Sequence, residues 1–136
     1  WALAEEFAGN PRGWYPLVEL ARLSVHDDHD ATIRRLVTAA DRDPSGRALA
    51  AGLELLRGAD MPVEALGLGV GHWRAREHDP EVARHLVNAA LEAGRPLEAK
   101  QYLAALGERD DAAQLTELRA ELAQTIAESE HPVPGA

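Results

Sequence analysis

Cysteine is absent from the 136 residues, and methionine and phenylalanine occur once each. Without cysteine there is no disulfide framework, zinc–thiolate site, iron–sulfur cluster or thiol nucleophile. Bases are also in deficit, 14 against 23 acids, for a formal charge of −9. That balance argues against nucleic-acid or anionic-membrane binding, which needs clustered cations to displace counterions. Long apolar runs are missing too, so no membrane insertion is expected of this segment, and a cytoplasmic location is expected. The first residue is Trp1 rather than methionine, as in an excerpt or a processed product.

What is present is alanine and leucine, 45 residues together, with few β-branched or aromatic side chains. Both lose little entropy in a helix, so the bias is helical. The length favours one domain able to bury roughly two-thirds of its unfolded surface. Thirteen of the 14 bases are arginine, a usage associated with GC-rich bacterial genomes.

Apolar periodicity and breakers predict an all-α chain. Residues 1–8 read as the tail of a helix closed by Gly9-Asn10-Pro11. Helices follow at about 13–25, 31–42, 46–57, 62–76, 80–93, 96–106 and 110–129, with a flexible tail over 131–136. Asp30 is the expected cap of the second of these, and Asp110 or Asp111 of the last. Pro44, Pro62, Pro80 and Pro96 suit first helical turns, and Gly94 suits a helix end with positive φ. Short turns make consecutive helices antiparallel neighbours.

Candidate chemistry is sparse. His26-Asp27-Asp28-His29-Asp30 concentrates imidazole and carboxylate donors that could hold a divalent metal. His29-Asp30 is also similar to the HD dipeptide of metal-dependent phosphohydrolases, but those need further ligands on separate helices. As one contiguous loop it reads first as a solvated turn, and no metal or cofactor is expected. Gly67-Leu68-Gly69-Val70-Gly71 lacks a preceding strand and the spacing of a phosphate loop. Three helical glycines cost roughly 0.8–1 kcal/mol each, so close packing through Gly67 and Gly71, one turn apart, is the expected reason. A local kink is the alternative. Trp73, among His72, Arg74, Arg76 and His78, reads as a half-buried anchor between helices or as a binding hot spot. Ser24, Ser45 and Ser129 stand in no nucleophile-elbow motif, so the chain is not read as an enzyme.

Asp43-Pro44 and Asp79-Pro80 lie 36 residues apart, each after one helix pair. Within that frame Ala83-x2-Leu86-Val87-x2-Ala90, then Ala99-x3-Leu103-x2-Leu106, resembles the tetratricopeptide (TPR) repeat, with Gly94 in the favoured turn. Trp14-x2-Leu17-Val18-x2-Ala21, then Thr32-x3-Leu36-x2-Ala39-x4-Pro44, is a second match with two extra residues in its turn. The middle unit is degenerate. The resemblance implies a single domain over 1–130. Its units span about 11–44, 45–79 and 80–107, stacked as a short right-handed superhelix under a capping helix at 110–129.

The resemblance further implies that the first helix of each pair lines a concave face binding a peptide or protein segment. Matching positions are Tyr15 and Glu19, Arg47 and Ala51, and Arg84 with Asn88. Arg84 and Asn88 are similar to the basic-plus-asparagine pair with which some family members clamp a carboxylate. Tyr15, Glu19 and Ala51 stand where the other units would need it, so the full clamp is absent. Pairing of Arg84 with a nearby acid is the alternative. The expected activity is therefore a non-catalytic scaffold for a protein or peptide partner. Homodimerisation through an uncapped N-terminal unit is the second reading, and a metal-dependent regulator using the His26–Asp30 turn is the third.

Overall fold

The computed structural model describes residues 14–130, and these are all-helical. The expected helix tail over 1–8 and the flexible tail over 131–136 lie outside the described residues. Helix α1 is Trp14–Ser24, α2 His29–Arg42, α3 Arg47–Gly58, α4 Pro62–His72, α5 Glu81–Glu92, α6 Pro96–Leu106 and α7 Thr116–Glu130. A short 3-10 turn, Ala112–Leu115, precedes α7. No described helix is long and apolar enough to cross a membrane.

Local chemistry explains most boundaries. Asp28, not Asp30, caps α2: its backbone is extended, and its Oδ1 accepts the Ala31 N–H at 3.0 Å. Asp30 sits instead in the first turn, where its charge suits the positive end of the helix. Asp43 ends α2 in an extended conformation, as its position before Pro44 requires. The same carboxylate then starts α3, because Oδ2 accepts the Ala48 N–H at 2.7 Å while Oδ1 takes the Ser45 N–H and hydroxyl. Burial works to raise its pKa, but these donors outweigh it and hold the carboxyl below its ordinary value. Pro62 and Pro96 occupy first turns, whereas Pro80 stands one residue earlier, at the N-cap of α5, and Pro44 lies in the turn before α3; Gly94 has φ +74°.

Two expected boundaries move. Helix α4 stops at His72 rather than near Arg76, because Trp73 turns extended and packs edge-on against Tyr102 at 5.4 Å between ring centres. The loop carbonyls beyond it, Ala75 and His78, are taken by the Arg109 guanidinium at 2.8 and 2.7 Å. Asp111 caps nothing with its side chain, since its carboxylate holds Arg109, and the expected helix from 110 begins as a 3-10 turn.

Packing follows sequence order. Within the pairs α1/α2, α3/α4 and α5/α6 the helices lie against one another. Helix α3 touches α1, α2 and α5, while α5 touches α4 and α7, so α1, α3, α5 and α7 form a row. Leu36, Leu49, Leu53, Leu56, Leu66, Leu86, Leu106 and Leu122 are fully buried in one continuous core running through the row and its partners. Burying each such side chain contributes about 1.5–3 kcal/mol. The Asp-Pro turns also meet: the Asp79 N–H donates to the Ser45 carbonyl at 2.7 Å.

The glycines of α4 correct an expectation. A methyl group on Gly67 or Gly71 would meet nothing within 4 Å, whereas one on Gly69 would collide with Leu86 Cδ2. Close packing therefore runs through Gly69, on the face turned to α5. Gly67→Ala is expected to stabilise the chain by about 0.5–1 kcal/mol. Gly69→Ala is expected to destabilise it by about 1–3 kcal/mol through overpacking. Urea unfolding of the two variants checks the opposite signs.

Candidate interaction face

Burial of Ala48, Leu49, Gly52, Leu53, Leu55 and Leu56 leaves Arg47, Ala51, Glu54 and Arg57 on the outward side of α3. On α5, burial of Val82, Ala83, Leu86, Val87, Ala89 and Ala90 likewise turns Glu81, His85, Asn88 and Glu92 outward. Between these strips lies an open cleft of about 350 Å³, lined by Arg47, Ala50, Ala51, Glu54, Asp79, Glu81 and His85. Two alanines line it between charged neighbours. Three carboxylates against one arginine make the lining net acidic.

One end of this cleft is tied by Arg57. Its Nε and Nη2 donate to the two oxygens of Glu92 at 2.8 and 3.2 Å, and Nη1 lies 2.9 Å from His85 Nδ1. A guanidinium only donates, so Nδ1 must accept and the imidazole proton sits on Nε2. Burial, with Arg57 adding to it, lowers the pKa of His85; burial and Arg74 do the same for His78. The unfolded chain therefore binds more protons than the folded one just below pH 6.5. Stability is full above that pH and falls as the pH drops towards the folded pKa values. Melting temperature should decline as the pH falls below about 6.5, and His85→Gln should flatten part of that slope.

The five expected site residues are distributed over this row of helices. Arg47 lines the cleft and makes no ion pair among the described residues. Arg84 leans towards α7, with Nη1 2.6 Å from Glu121. Its Nε is 3.0 Å from Glu81 but off the N–H direction, so that contact is ionic rather than a directed hydrogen bond. Asn88 Nδ2 donates to the Arg84 carbonyl at 3.0 Å, which turns the amide back on its own helix. Tyr15 is 60% exposed and packs edge-on against half-buried Trp14. Glu19 lies 3.7 Å from Arg22. Helix α3 stands between this pair on α1 and the Arg84–Asn88 pair on α5.

Glu54, Arg57 and His85 were not singled out by sequence, although Glu54 and Arg57 follow Arg47 and Ala51 at helical spacing. His85 adjoins Arg84 but faces α3, a direction that only the packed pair defines. Among the described residues no group of three or more histidines or acids is placed to hold a metal ion. In the His26–Asp30 turn Asp28 is engaged as the α2 cap. The chain matches no protein-family model, no curated protein and no solved structure.

Proposed function

We propose that this chain is a non-catalytic interaction scaffold, a TPR-like right-handed stack of hairpins capped by α7. Its outward α1, α3 and α5 face takes an extended peptide or protein segment. The observation carrying this reading is the alanine-lined cleft between α3 and α5, with Arg47, Glu54 and His85 around it. Such a lining admits a backbone or a small side chain between polar groups that can fix its direction. The neighbour pattern, in which first helices of successive pairs form a row, is what a repeat array requires.

Panning a random peptide library displayed on phage against the folded chain tests this reading. Ala51→Arg, which fills the cleft, is expected to cut capture of the selected clones by about tenfold or more. Val70→Ser, on exposed α4 surface, is expected to leave it unchanged. The reverse pattern would overturn the assignment. Self-association is a second reading, favoured by Val63, Val70 and Leu97, all exposed, two of them on a groove with α6 residues. Light scattering that shows only monomer at high concentration ends it.

A further inference from the structure

A second cleft, of about 610 Å³, lies where α2 and α4 both end. Its lining comes from the last turns of the two helices (Ala40 and Asp41; Gly71 and His72) and from the segments that follow them. Two helix C-termini bring partial negative charge to it. Asp41 Oδ1 lies 3.0 Å from His72 Nδ1, and Oδ2 has no protein partner among the described residues. Trp73 adds an indole whose position is set by its edge-on contact with Tyr102. Asp43 is already saturated by its three donors, and Arg74 lies 3.5 Å from Glu77.

The remaining lining group is unusual. His78 is only 4% exposed, and its Nδ1 accepts the Arg74 N–H at 3.1 Å. Its proton is therefore on Nε2, which has no acceptor among the described residues. A donor on the wall of a cleft that no protein group takes is met by water or by the oxygen of a ligand. Asp41, the helix ends and the indole face together call for a cation.

We infer that this cleft binds an arginine or lysine side chain of a partner polypeptide. The cation lies between Asp41 and Trp73, and a carbonyl of the same segment accepts from His78 Nε2. The chain's charge of −9 favours the approach of basic segments. This site is separate from the α3/α5 cleft, so either assignment can fail without the other.

The test is an amide and indole NMR titration of the 136-residue chain with acetyl-Gly-Gly-Arg-Gly-Gly-amide, its citrulline analogue and sodium phosphate. Saturable shifts of the Trp73 indole N–H and the Asp41 amide are expected with the arginine peptide. Its affinity should exceed that of the citrulline analogue by about fivefold, and Asp41→Asn should remove about the same factor. Asp41 is exposed, so this variant keeps the fold; Trp73→Leu is the second variant. No saturable shift with the arginine peptide overturns the inference. So does equal binding of the citrulline analogue, unchanged affinity in Asp41→Asn, or phosphate moving these resonances instead.

Discussion

Arg109→Met is expected to lower the unfolding free energy by about 2–4 kcal/mol, an unusually large effect for a side chain without an apolar tip. The Arg109 side chain is 9% exposed, and its guanidinium joins parts of the chain more than 30 residues apart: Nη1 donates to the carbonyls of Ala75 and His78. Nε and Nη2 grip the Asp111 carboxylate in a two-point fork at 2.7 and 3.1 Å. The Asp111 hydrogen bond raises the arginine pKa, and Arg109 holds the Asp111 carboxyl below its ordinary value. Both groups are thus ionised across the working pH range. Truncation leaves two loop carbonyls without their charged donor, each such bond being worth about 1.5–3 kcal/mol. Lysine keeps the charge but not the fork, so Arg109→Lys should recover less than half of the loss. Arg76→Ala, in the same loop but exposed and outside this network, should change stability by less than about 0.5 kcal/mol. Urea unfolding checks all three, and equal effects of Arg109→Met and Arg76→Ala would refute the role given to Arg109.

Gly46→Ala is the second large expected loss, about 2–4 kcal/mol. Gly46 has φ +85°, a left-handed conformation that costs an alanine about 1–2 kcal/mol. The added Cβ would also stand 2.6 Å from His78 Cβ and 2.7 Å from His78 Cγ, near the root of a buried ring that cannot swing aside. Gly94 provides the control, with φ +74° and nothing within 4 Å of an added Cβ. Gly94→Ala should therefore show only the backbone cost of about 1–2 kcal/mol. Comparable losses at the two positions in thermal or urea unfolding would remove the His78 contact from the explanation.

The local signals were legible in the sequence. Asp43 before Pro44, Pro62 and Pro96 in first turns and Gly94 at a helix end each constrain the backbone within a few residues. The helical spacing of apolar side chains identified the core faces, and the structure buries Leu36, Leu53, Leu86 and Leu122 together. Features that depend on a distant partner were not legible. Asp28 and Asp30 are equally good caps by type, and only the extended backbone at 28 decides between them. Gly67, Gly69 and Gly71 differ in which way they face, so the tight one is known only once Leu86 of α5 is in place. Nothing near Arg109 in the sequence announces carbonyls 31 and 34 residues earlier. At the candidate face, the resemblance to a repeat pointed to Arg47 and Ala51, and both line the cleft between α3 and α5. The engagement of Arg84 with α7, and of Arg57 with both His85 and Glu92, depends on how neighbouring helices pack.

The most direct measurement on the scaffold assignment is amide chemical-shift mapping with a peptide selected by panning. Perturbed residues are expected to cluster on the outward side of α3 and α5, at Arg47, Ala51, Glu54, Glu81, His85 and Asn88, extending to Tyr15 and Glu19 on α1. Perturbations confined to α2, α4 and α6, with those positions unmoved, would contradict it.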